Sequence, residues 1–120
     1  MHPLYITSIY RPVIELTGAE GFEWDAGNSR KSAEKHGVSQ GEAEQMFFNP
    51  PLLVLVDERH SLREPRYHAL GQTDAGRRLL VTFTIRGDGR LIRVISARDM
   101  HRNERVRYEQ EAEIGSGLQE

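Results

Sequence analysis

The chain has 120 residues, 38% apolar and 28% charged, and a net charge of −2. That length fills one ordinary domain and is too short for two well-filled cores. Cysteine is absent, which excludes a disulfide scaffold, a cysteine-ligated metal centre and a cysteine nucleophile. The longest apolar run, residues 52–56, falls far short of the roughly 20 residues that span a bilayer. The first residues show no basic start followed by an apolar stretch, so a cytoplasmic protein with no membrane partner is expected.

The charge is unevenly spread. Residues 1–58 have a net charge of −5, residues 59–107 of +7 and residues 108–120 of −4. Fourteen of the sixteen basic residues are arginine, the side chain that forks phosphates and stacks on bases. A basic block of this kind suggests a polyanion or an acidic protein as partner.

In chain order, residues 1–21 come first, and residues 1–19 have no clear period. Residues 1–21 read as an N-terminal extension of unknown role, with a loosely attached strand around residues 5–10 that Pro12 interrupts. Residues 20–25 form a short strand candidate with Phe22 and Trp24 on one face. Residues 29–36 read as a helix stopped by Gly37, with Val38 placed for a Schellman end. Ser39 and Glu42 form a capping box for a second helix running to about Phe48, which Asn49-Pro50-Pro51 ends.

From there the period changes. Residues 52–56, 66–72, 78–86 and 90–98 read as strands, with turns at 73–76 and 87–89. In 78–86 the alternation is clean, except that Leu80 falls on the polar side with Thr82, Thr84 and Arg86. Asp99 is placed to cap a last helix over about 100–112, and residues 113–120 read as a flexible acidic tail. The fold class is therefore α+β: two N-terminal helices, an antiparallel sheet of about four strands, and a C-terminal helix. Helices on one face would leave the other sheet face free and basic.

No metal site is expected. The five histidines, His2, His36, His60, His68 and His101, include no pair at helical i, i+4 spacing. Phosphate-binding glycine loops and a nucleophilic serine elbow are also missing. The strongest constellation is basic. Arg66 opens one strand and Arg98 closes another. Arg102, Arg105 and Tyr108 then follow at helical spacing, and Lys35 and His36 end the first helix. Metal-free RNA cleavage needs little more: a group to take the 2′-hydroxyl proton, cations for the phosphate charge, and a proton donor for the leaving oxygen. Each residue also has a structural alternative. Trp24 suits a core as well as a base platform. Arg98 can pair with Glu104 or Asp99, Arg102 and Arg105 can form a solvated face, and His36 can bond helix carbonyls.

Five segments carry a resemblance. FEWD at 22–25, KHGVS at 35–39 followed by Glu42-Ala43, PRY at 65–67 leading to Gly71, RLIRVISAR at 90–98 and ERVRY at 104–108 resemble, in order and spacing, the BrnT family of type II toxins. The resemblance implies a RelE-like ribonuclease domain over residues 22–112. It implies an endoribonuclease toxin that stops growth by cutting RNA. A ribbon–helix–helix antitoxin would neutralise it and carry it to promoter DNA, with a homodimer or a heterotetramer as the assembly. No cofactor is implied. The resemblance carries Lys35, His36, Arg66 and Arg98 over as catalytic, and Trp24, Arg105 and Tyr108 as RNA-binding; helical spacing adds Arg102 to the latter. This chain departs from the family pattern at Asn28, Ser32 and Pro65. Those departures favour an alternative of another class: a catalytically weakened subunit that holds the antitoxin and acts in promoter repression.

Overall fold

The computed structural model describes residues 5–9, 20–57, 64–87 and 90–119. Among these the chain forms β1 (Tyr5–Ile9), β2 (Gly21–Glu23), α1 (Ala26–His36) and α2 (Gln40–Gln45), with a 3₁₀ turn at Met46–Phe48. It continues through β3 (Leu52–Val56), β4 (Arg66–Gln72), β5 (Arg78–Arg86), β6 (Leu91–Asp99) and α3 (Arg102–Gln119). The loop holding Arg59, His60 and Arg63, the segment with Tyr10 and Pro12, and His2 lie outside the described residues.

The α+β class stands, but the sheet is larger than the sequence suggests and is mixed. Among the described residues six strands pair in the order β1-β3-β4-β5-β6-β2. The meander β3 to β6 is antiparallel, whereas β2 pairs with β6 in parallel. The difference arises at the edges. Three residues of β2 carry too little alternation to show their direction, and β1 joins only by pairing with the distant β3.

The two short helices form where their caps place them. Asp25 caps α1 and bonds the backbone of Asn28, and Gly37 ends it at φ 64°. The N–H groups of Gly37 and Val38 bond back to Ala33 and Ser32, the paired return of a Schellman end. Ser39 and Glu42 cap α2 reciprocally.

While α1 lies along the β6 edge, the second helix and the 3₁₀ turn pack on one face of the sheet. Val38, Ala43, Met46 and Phe47 meet Leu52, Val54, Ala69, Leu79, Val81, Phe83, Ile92, Val94 and Ala97 there. Gly71 is required at this contact, because a Cβ would stand 2.9 Å from the Met46 side chain and 3.2 Å from its carbonyl oxygen.

The opposite face is not free, contrary to the sequence reading. There α3 covers one end of the sheet, where Leu53, Leu70 and Leu80 meet Met100 and Tyr108. Leu80 breaks the polar alternation of β5 because it lies under this helix. The helix also starts and ends later than expected, at Arg102 and Gln119. Its Glu, Gln, Ala and Leu residues are good helix formers that carry the turn pattern past two glycines. Asp99 does not cap it. The His101 N–H is bonded by the Glu104 side chain at 2.7 Å, while Asp99 belongs to β6.

One edge constraint places α1. Beyond residue 93 the backbone of β6 has no strand partner on its outer side, because β2 ends there. Side chains of α1 fill that gap. Asn28 donates to the carbonyls of Val94 and Glu23 at 2.9 and 3.1 Å. The Ala97 N–H donates to the Ser32 hydroxyl at 2.9 Å. Asn28 and Ser32 are both buried. Two of the departures from the family pattern are therefore docking residues. Asn28→Ala would leave buried carbonyls without a donor and should cost about 1–3 kcal/mol. Urea unfolding monitored by circular dichroism should show a lower midpoint with an unchanged slope.

Candidate functional site

Cross-strand register organises the face that α3 leaves partly open. Three rows lie side by side. Arg66 pairs with Thr84, which pairs with Arg93; His68 pairs with Thr82, which pairs with Ser96; Leu70 pairs with Leu80, which pairs with Arg98. Side chains alternate along a strand, so these rows share one side of the sheet. α3 covers the Leu70 row and stops short of the other two. A bulge in β6 near Ile95 keeps Ser96 and Arg98 on this side.

Two concavities result. The first, of about 330 Å³, lies between the start of α1 and the Arg66 row and is lined by Asn28, Lys31, Arg66, Thr84, Arg86 and Arg93. The second, of about 360 Å³, lies beside α3 and is lined by Leu55, His68, Thr82, Ser96, Arg98 and Glu104.

Most of the cations there are held by carboxylates. Arg93 bonds Glu23 at 2.9 Å and Asp25 at 2.8 Å. The Asn28 backbone N–H and then Arg93 hold the Asp25 carboxyl below its ordinary value. Arg86 bonds Glu64 at 3.2 Å. Thr84 is fully buried and donates to the Pro65 carbonyl at 2.6 Å, so the third departure, Pro65, is tied into the row. Arg98 forks Glu104 at 2.8 and 3.0 Å. Burial pushes the Glu104 carboxyl up, but Arg98 and the His101 N–H outweigh it and leave Glu104 lowered.

The expected site residues divide among several places. Arg66 and Arg98 face the same side, two rows apart, and line different concavities. The backbone positions 98, 102 and 105 do not form one helical face, because Arg98 is in β6 and α3 begins at Arg102. Arg102 and Arg105 are exposed, and Arg105 bonds the Met100 carbonyl at 3.3 Å.

One of the two aromatic assignments needs correction. Tyr108 is 0% exposed and donates to the Pro51 carbonyl at 2.7 Å. The Arg78 guanidinium lies 5.4 Å from its ring centre. The ring is a core anchor, closed to a base. Trp24 packs against the core, and its indole N–H donates to Glu44 at 2.6 Å, which fixes it on the α1–α2 side.

His36 and Lys35 end α1, away from Arg66 and Arg98. Lys35 is exposed. His36 comes near Asp99 instead, in a cluster built by an arginine that the sequence reading passed over. Arg77 forks Asp99 at 2.7 and 2.9 Å, bonds Glu42 at 3.1 Å, and donates to the carbonyls of Gly37 and His36. One guanidinium thus joins both helices to the end of β6. Its ion pairs raise its pKa further. The Asp99 carboxyl is held low chiefly by Arg77, with His36 and Arg105 adding smaller contributions. Glu42 is held low first by the Ser39 N–H and also by Arg77.

His68 was also passed over as a site residue. Its Nε2 lies 3.0 Å from Asp57 Oδ2 and its Nδ1 lies 2.8 Å from Thr82 Oγ1. A signal was available: a turn centred on residue 75 makes His68 and Thr82 direct partners across the β4–β5 hairpin.

Among the described residues no group of three or more His, Asp or Glu side chains converges to hold a metal ion. Among them, too, no helix is long and apolar enough to cross a membrane.

An α+β domain with an arginine-edged polar sheet face is a class suited to an anionic ligand. The family is settled by comparison: residues 24–104 match the model of the ribonuclease toxin BrnT of type II toxin–antitoxin systems. The chain belongs to the BrnT family. No curated protein matches it.

The Arg77 cluster makes stability depend on pH. Carboxyls with lowered folded-state pKa values stabilise the fold above the ordinary carboxylate range near pH 4, and lose that contribution as pH falls through their own values. Arg77→Ala should therefore destabilise the chain by about 1–2 kcal/mol at pH 7, allowing for the exposure of Asp99. The variant should also lose less stability than the native chain between pH 5 and pH 2. Urea titrations at both ends of that range check the sign.

Proposed function

We propose that this member of the BrnT family is a metal-independent endoribonuclease with a RelE-like fold, and that it cuts RNA on the sheet face beside α3. The observation that carries this reading is the pair of adjoining rows, Arg66–Thr84–Arg93 and His68–Thr82–Ser96, on the side of the sheet that α3 leaves partly open. Cations at one end of a polar floor suit a phosphate backbone, and imidazole suits proton transfer near neutral pH. Arg66 and Arg98 are the proposed phosphate-stabilising residues. The exposed Arg102 and Arg105 lie on α3, which borders the same face, and serve as positioning contacts to RNA. His36 belongs to the Arg77 cluster and Lys35 is exposed at the end of α1, so both are less suited to the reaction. A ribbon–helix–helix antitoxin is the proposed neutralising partner in the cytoplasm, and brings the toxin to promoter DNA.

The Arg98–Glu104 fork favours a second reading, in which the chain is a weakened subunit that holds the antitoxin and represses transcription. A carboxylate already occupies the guanidinium there, and an RNA phosphate has to displace it.

The fork also decides which variants are informative. Arg98→Ala alone leaves the partly buried Glu104 without its cation, so it weakens the fold as well as the site. Arg98→Ala with Glu104→Gln removes both charges and keeps an acceptor for the His101 N–H. In EDTA, the native chain should cleave purified total RNA. Arg66→Ala and the double variant should each cleave at least about 100-fold more slowly, with melting temperatures close to native. Intact RNA with the native chain, on both free and ribosome-bound messages, overturns the ribonuclease reading in favour of the second one.

A further inference from the structure

We infer that His68 is the general base of this site, with Asp57 as its positioning residue. The assignment rests on the ribonuclease reading above and names the proton acceptor that reading leaves open.

The geometry is a hydroxyl–imidazole–carboxylate line. Thr82 Oγ1 stands 2.8 Å from Nδ1, and Asp57 Oδ2 stands 3.0 Å from Nε2. A carboxylate only accepts, so Nε2 carries the proton and Nδ1 presents its lone pair to the Thr82 hydroxyl. A hydroxyl donates or accepts by rotating. Thr82 therefore satisfies Nδ1 whether the imidazole is neutral or protonated, and Asp57 stabilises the protonated form. Both states of a proton-transfer cycle are accommodated without any movement of the sheet.

The imidazole is also within reach of a ligand. The His68 side chain is 32% exposed, against 10% for Asp57, and it lines the 360 Å³ concavity with Arg98. Among the described residues, the charged groups that bond it or line the concavity with it are Asp57 just after β3, Arg98 from β6 and Glu104 from α3. The other described histidines lack this arrangement. His101 is 73% exposed and 3.9 Å from Glu104, and His36 belongs to the Arg77 cluster.

In the proposed step the ribose 2′-hydroxyl takes the place of Thr82 at Nδ1 and gives its proton to that nitrogen. The 2′-oxygen bonds to phosphorus as the bond from phosphorus to the 5′-oxygen breaks. The leaving 5′-oxygen takes a proton from water, and His68 later returns its own to solvent. The products are a 2′,3′-cyclic phosphate and a 5′-hydroxyl end.

The test compares the native chain, His68→Gln and Asp57→Asn from pH 5 to pH 9. His68→Gln should cleave RNA at least about 100-fold more slowly. Asp57→Asn should cleave more slowly too, and the acid limb of its rate profile should move to lower pH, because the imidazolium loses its carboxylate. A merely structural Asp57 would lower the rate without moving that limb. A second measurement needs no variant. The His68 ring nitrogen signals of the native chain should shift when an RNA oligonucleotide with 2′-fluoro riboses, which cannot be cut, saturates it. Native-rate cleavage by His68→Gln, or unmoved ring signals at saturation, overturns the assignment and leaves the ribonuclease reading intact. A native chain that neither binds the oligonucleotide nor cuts RNA overturns both.

Discussion

The outer edge of β6 is the constraint on which the rest of the structure depends. Its partner β2 ends after three residues, and an unpaired backbone edge has to be satisfied or covered. α1 does both, with the Asn28 amide on the Val94 carbonyl and the Ser32 hydroxyl on the Ala97 N–H. Because those two side chains are one helical turn apart, they fix the helix in position as well as in angle. The start of α1 then stands over the Arg66–Thr84–Arg93 row and forms the wall of the first concavity. The end of α1 stands over Asp99, where Arg77 joins it to α2.

This arrangement changes how the basic block between residues 59 and 107 should be understood. Its charge excess suggests an open cationic surface, yet Arg77, Arg78, Arg86, Arg93 and Arg98 all meet carboxylates across the fold. Several of those carboxylates come from the acidic segments at either end: Glu23, Asp25 and Glu42 from the first, and Glu109 from the last. The block and its acidic flanks are thus partly complementary within one domain. Arginine fits that role because its fork joins two or three acceptors from different elements, as Arg77 does. Arg66 and Arg98 lie on the polar face, Arg98 already forked by Glu104, and Arg102 and Arg105 lie outside it on α3.

The sequence revealed what depends on neighbours along the chain. The capping box at Ser39, the Schellman end at Gly37 and the strand patterns of residues 52–56, 66–72 and 78–86 are local, and the structure keeps them. Family membership was legible because five short segments held their spacing. Long-range pairings were not legible. The parallel direction of β2 depends on where a helix pair returns the chain, and the roles of Asn28 and Ser32 depend on an edge that exists only once the sheet has formed. Tyr108 shows how helical arithmetic misleads. Residues three apart share a side, but the seam between core and solvent runs between Arg105 and Tyr108. The decisive sign was Leu80. With Leu53 and Leu70 it forms an apolar patch on the otherwise polar side, and a helix has to cover it.

That patch also determines where chemistry is possible. Across three neighbouring rows the floor passes from apolar under α3, through imidazole and hydroxyl, to arginine and buried threonine. The covered row anchors the helix and supplies a dry wall. In the outer row Arg93 is fixed by Glu23 and Asp25. The His68 row lies between them, and Asp57, just after the neighbouring strand, bonds its imidazole. Groups fixed before a substrate arrives need no reorganisation when charge develops, which is how a polar site accelerates a reaction. The alternation of a β-strand thus does two jobs on β4 and β5. Tyr67, Ala69, Val81 and Phe83 build the core on one side, while His68 and Thr82, one residue out of step, stand together on the other.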